Sequence, residues 1–120
     1  MYKVLGEFIP DNLIAGNEFP ILTKGITLAK DQGVLLRGTV VGIVTATGLG
    51  KIADKSESDG AQNPYAILTD TVDTGEDDVV TTGYISGLFN AKALIFGGED
   101  TAADHEIELR KLGIYLKESL

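Results

Sequence analysis

Fifteen glycines punctuate the 120 residues, and between them the apolar stretches are short. Runs of a few Val, Ile, Leu and Thr residues bounded by glycine turns read as brief strands rather than long helices. Proline is confined to Pro10, Pro20 and Pro64. At 12.7 kDa the chain has room for one core, and 43% hydrophobic residues suffice to build it despite a formal charge of −8. The expectation is one mainly β (α+β) domain.

From Met1 to Phe19 neither a helical nor a strand period is sustained, yet Val4, Leu5, Phe8, Ile9, Leu13, Ile14 and Phe19 are apolar. Pro10-Asp11-Asn12 and Gly16-Asn17 interrupt them with turns. An extended N-terminal arm over residues 1–19 is expected, with the single β domain over 20–120. Short strands are expected at Ile21–Thr23 and Ile26–Ala29. Val34–Ala46 is the strongest strand candidate, broken by Gly38 and Gly42. Further strands fall at Lys51–Asp54, Tyr65–Thr69, Val79–Ser86 and Ala93–Phe96, and an edge strand or packed tail at Ile114–Leu116.

One helix is expected near the C-terminus. Thr101 caps it, and Asp104 stands three residues on in a capping-box pattern. Acids come early (Asp104, Glu106, Glu108), bases late (Arg110, Lys111), and Gly113 stops it. At ~100° per residue His105, Leu109 and Leu112 share a face with Ala102, so these three are expected in the core, with Ile107 turned outwards.

Several function classes are excluded by residue content. Without cysteine there is no disulfide, thiolate nucleophile or Cys-based zinc site. His105 is the single histidine, so one chain cannot build a multi-His metal site. Residues 1–50 are neutral overall, and 51–120 carry the whole −8. That acidity repels phosphate backbones, so nucleic acid is not an expected partner. No apolar run reaches the ~20 residues of a membrane span, and no basic-then-hydrophobic leader opens the chain. Met1–Glu7 is therefore expected to be mature, soluble protein.

The apparent motifs are better read as structure. Gly48-Leu49-Gly50-Lys51-Ile52-Ala53 fits the G-x-G-x-x-A dinucleotide pattern, but Asp59-Gly60 and Pro64 leave no room for the required helix, so a glycine-rich hairpin is expected. Asp70, Asp73, Glu76, Asp77 and Asp78 lack the spacing of a calcium loop and read as a solvated turn. His105 sits on an apolar helix face with no Gly-x-Ser-x-Gly elbow to accompany it. No metal, cofactor or enzymatic activity is expected.

The remaining pattern is joint. Pro10-Asp11-Asn12-Leu13-Ile14-Ala15-Gly16 precedes Phe19-Pro20, and Arg37-Gly38-Thr39-Val40-Val41-Gly42 follows. Then come Pro64-Tyr65-Ala66-Ile67-Leu68 with Asp70 and Val72-Asp73, Gly87-Leu88-Phe89-Asn90-Ala91-Lys92-Ala93-Leu94, and Leu109-Arg110-Lys111-Leu112-Gly113-Ile114-Tyr115-Leu116. In this order, over about residues 7–116, the sequence resembles the head decoration proteins of tailed bacteriophages, the phage lambda-like family, and most closely its branch in phages and prophages of Gram-positive bacteria. The resemblance implies a β-clip-like domain that forms homotrimers on the outer capsid surface at three-fold positions. There it clamps major capsid proteins against internal DNA pressure, after synthesis in the bacterial host cytoplasm. It further implies a capsid-binding arm, here Val4, Leu5, Phe8, Ile9, Leu13 and Ile14. The alternative weighed is a small ligand- or carbohydrate-binding β module of a virion or fibre.

Overall fold

The computed structural model describes residues 12–16 and 19–118. Nine strands are found there: β1 (Ile14–Gly16), β2 (Leu22–Leu28), β3 (Val34–Leu35), β4 (Val40–Ile43), β5 (Gly50–Ile52), β6 (Ala66–Leu68), β7 (Val72–Asp73), β8 (Val79–Asn90) and β9 (Ile114–Lys117). A 3-10 turn (Ala91–Ala93) follows β8, and α1 (Ala102–Leu112) is the one α-helix among the described residues. The fold is mainly β with a C-terminal helix, as the sequence leads one to expect.

The pairings β8-β2-β5-β4-β6 return to β8, because β6 pairs with β8 as well as with β4. Five strands thus close a small barrel. The long β8 runs on beyond it, and its C-terminal half holds β1 antiparallel and β9 parallel. The β3–β7 pair forms a separate ribbon, Val34 opposite Asp73 and Leu35 opposite Val72.

Strand alternation sorts the core into two clusters. Val41, Ala66 and Leu68 join Ile26, Leu28, Leu35 and Val72 in one. Their immediate neighbours Val40 and Ile67 join Leu13, Ala53, Phe89, Leu94, Leu109 and Ile114 in the other. β4 and β6 are therefore buried on both faces, which is why they read as continuous apolar runs.

The Val34–Ala46 stretch is two strands, β3 and β4, instead of one. Gly38 separates them at φ +97°, and a Cβ there would come within 2.9 Å of the Ala93 carbonyl oxygen. Nor is Ala93–Phe96 a strand. It begins as the end of the 3-10 turn and makes one bridge, Ile95 to Thr39, because Gly97 and Gly98 turn the chain away immediately afterwards.

α1 begins as its sequence dictates: the Thr101 N–H donates to the Asp104 carboxylate at 2.8 Å, within a capping box. This bond, ahead of the Thr101 hydroxyl, holds Asp104 below the ordinary aspartate range. His105 and Leu109 are buried and Ile107 faces out. Leu112 corrects the expectation: it is 44% exposed. Gly113, left-handed at φ +95°, turns the chain back into β9, and Ile114 fills the core beyond Leu109 where Leu112 was expected.

Candidate functional site

The site of interest is where the N-terminal segment meets the C-terminal half of β8. Leu13 was expected on the arm as a docking residue. It is instead 1% exposed, inside the cluster that holds Phe89, Leu109 and Ile114. The Asn90 N–H donates to the Leu13 carbonyl at 2.9 Å, and the Asn90 side-chain amide reaches the Asn12 carbonyl. Burying a leucine removes apolar area worth about 2 kcal/mol from water, and here the sheet also supplies backbone partners. Leu13 is thus part of the core, and β1 belongs to the same sheet. Ile14, next to it, is 37% exposed. Val4, Leu5, Phe8 and Ile9 lie outside the described residues.

A second set of apolar side chains follows along the chain. Phe19 stacks on Tyr115 of β9, ring centroids 4.6 Å apart and planes at 29°. Ile21 and Leu22 continue the segment and are exposed. Ser86 of β8 holds it in place, its hydroxyl donating to the Pro20 carbonyl at 2.8 Å and accepting from the Leu22 N–H at 3.2 Å. Phe19 and Tyr115 are thus in contact, and Ile21 and Leu22 follow as exposed apolar side chains. The sequence gives little sign of this contact, since Phe19 and Tyr115 are 96 positions apart and meet only through the β8–β9 pairing. The local signal was the Phe19-Pro20-Ile21-Leu22 run itself.

The other sequence candidates resolve into packing. His105 is fully buried; its Nε2 lies 2.6 Å from the Asp100 carboxylate, and its ring is parallel to Phe96 at 4.8 Å. Its Nδ1 has no hydrogen-bond partner among the described residues. The same Asp100 oxygen accepts the Lys55 N–H at 2.7 Å, so this carboxylate ties α1 to the loop after β5. The ring is thus covered and held at Nε2. Gly48, at φ +75°, lies in the turn joining β4 to β5. Lys51 beside it is engaged by Asp59 at 3.0 Å and Glu57 at 3.1 Å, which hold its ammonium above the ordinary lysine value. That cation is already neutralised, and no helix begins there to cradle a phosphate. In the acidic turn, Asp73 accepts the Gly75 N–H and Asp78 the Lys30 N–H, each at 2.9 Å. No cluster of three or more His, Cys, Asp or Glu side chains suited to a metal is found among the described residues.

No helix of the described residues is long and apolar enough to cross a membrane. Arg37 is also spoken for, its Nη1 donating to the Thr69 carbonyl at 2.8 Å and the Tyr84 hydroxyl at 2.9 Å. The exposed apolar side chains of the described surface include Phe19, Ile21 and Leu22, and elsewhere Val34, Leu36, Val80 and Ile107. Compared with known families, residues 4–114 match the family model of the bacteriophage lambda head decoration protein D. No curated protein matches the chain.

Proposed function

The chain belongs to the phage lambda head decoration protein D family, a family of structural proteins of the phage capsid, and from that membership we propose how it decorates the head. It attaches as a homotrimer to the outer surface of the expanded head, at the three-fold positions. There it binds the major capsid protein and clamps neighbouring copies against internal DNA pressure.

The observation that carries this reading is the family match over 4–114. The N-terminus supports it: Leu13 is seated in the core, and further along the segment Phe19, stacked on Tyr115, and then Ile21 and Leu22 are exposed. Residues 1–11 then form the docking arm, with Val4, Leu5, Phe8 and Ile9 as its apolar contacts. An extended arm adds backbone hydrogen bonds to its target and places alternate side chains in pockets. A trimer carries three such arms, so individually weak contacts sum to firm attachment. The acidic surface suits the outside of the shell, away from packaged DNA.

Co-sedimentation with heads that lack the protein tests the proposal. The intact chain pellets with them, and a chain lacking residues 1–10, which keeps Leu13 and β1, binds far more weakly. Failure of the intact chain to bind overturns the decoration reading, and undiminished binding by the truncated chain overturns the arm.

A further inference from the structure

The seam between β2 and β5 is the shortest in the barrel. These strands pair at one position, Leu28 opposite Gly50, whereas every other neighbouring pair of barrel strands has two or more. β2 ends at Leu28, and the Ala29 N–H still reaches the Gly50 carbonyl at 2.9 Å. β5 runs on to Ile52. The Leu49 carbonyl and the Ala53 N–H bond on the β4 side, to Val44 and Val40. By alternation the Gly50 carbonyl and the Ile52 N–H face the seam.

What meets them there is a side chain. After Ala29 the chain turns away, with left-handed backbone at Asp31 (φ +69°) and Gly33 (φ +71°). Between these two, Gln32 reaches back. Its Nε2 donates to the Ala29 carbonyl at 2.8 Å and the Gly50 carbonyl at 3.1 Å, and its Oε1 accepts the Ile52 N–H at 2.9 Å. Two carbonyls at one end and an N–H at the other fix which end of the carboxamide is which. In a parallel pair, a strand residue opposite Lys51 would donate to the Gly50 carbonyl and accept from the Ile52 N–H. The carboxamide makes both bonds, so it takes the place of one strand residue. Thr74, fully buried, seats it. The Thr74 hydroxyl accepts the Gln32 N–H at 3.0 Å and donates to the Gly33 carbonyl at 2.8 Å, while its own N–H and carbonyl bond to Gly33 and Asp31.

We propose that Gln32 is a latch on the barrel: its carboxamide, seated by Thr74, completes the β2–β5 seam, and its release frees the Gly50–Ile52 edge for a strand of a second copy. Unpaired strand edges recruit foreign strands, and native folds block them. Here the block is one half-buried side chain on a short loop. Its three bonds can break while the β2–β8 and β4–β5 ladders stay intact. The latch belongs to the free domain and holds whether or not the protein decorates heads.

The test is Gln32→Met, which keeps the length of the side chain and removes all three bonds, read by hydrogen exchange of single amides and by light scattering. Circular dichroism and the thermal midpoint establish folding. Should this variant fail to fold, Thr74→Val serves in its place, since it takes away the seating hydroxyl and leaves the carboxamide. Protection of the Ile52 N–H is expected to fall about tenfold or more, roughly the loss of one or two net hydrogen bonds. The Leu68 N–H, bonded to the Thr39 carbonyl at 2.9 Å elsewhere in the barrel, is expected to keep its protection. The folded variant is also expected to form species larger than those of the unaltered protein as its concentration rises. Unchanged protection at Ile52 overturns the latch. Equal losses at Ile52 and Leu68 overturn it likewise, by assigning Gln32 to general stability. Faster exchange at Ile52 with no larger species overturns the blocking of the edge.

Discussion

The Asn90 N–H donates to the Leu13 carbonyl at 2.9 Å, tying the segment before β1 to the last residue of the longest strand. Truncation past Leu13 removes this tie, whereas truncation before Asn12 keeps it.

Two truncations should separate these roles. Removal of residues 1–10 is expected to leave the thermal midpoint within a few degrees of the full chain. Removal of residues 1–16 takes away Leu13 and β1 and should lower it sharply. Leu13→Ala alone should cost about 2–5 kcal/mol by urea titration, the range for a buried leucine.

Helix α1 offers a paired comparison. Leu109→Ala should destabilise by about 2–5 kcal/mol, because the side chain is fully buried. Leu112→Ala, at an exposed position of the same helix, should change stability by about 0.5 kcal/mol or less. Equal losses would show that both leucines are packed.

The capping carboxylate predicts a pH dependence. The Thr101 N–H depresses the Asp104 pKa below its ordinary 3.8 in the folded protein. A group lowered on folding stabilises above its unfolded value, and that contribution fades as pH falls from 3.8 towards the folded value. The stability difference between wild type and Asp104→Asn should therefore shrink as acid is added through that window. A difference that grew with acidity would reverse the assignment.

His105 should behave as a packing residue. His105→Gln removes the Phe96 stack and disturbs the bond to Asp100, for an expected loss of about 1–3 kcal/mol, while the folded variant still co-sediments with heads. Loss of binding by a variant shown to be folded would place His105 in the interface.

Glycine substitutions should divide by location. Gly38→Ala forces a side chain into a left-handed backbone, 2.9 Å from the Ala93 oxygen, and is expected to cost about 1–3 kcal/mol. Gly25→Ala meets open space and should be neutral or stabilise by about 0.5–1 kcal/mol. Chemical denaturation of the two variants settles the order.

The features legible in the sequence are those decided within a few residues. Thr101 and Asp104 start a helix, Gly113 ends it, and turns at the glycines cut the β segments short, because capping and left-handed backbone are local matters. The order of patches along the chain carried the family for the same reason: it needs no contact. Burial was decided elsewhere. Leu13 reads as one apolar arm residue among six, and only its seat against Phe89, Leu109 and Ile114 makes it core. Leu112 has the correct helical phase, yet Ile114 takes its place once Gly113 returns the chain. The Phe19–Tyr115 stack arises only because β9 pairs with β8 beyond the barrel. Helical phase and strand alternation tell which side chains lie together, but not what the rest of the chain brings to cover them.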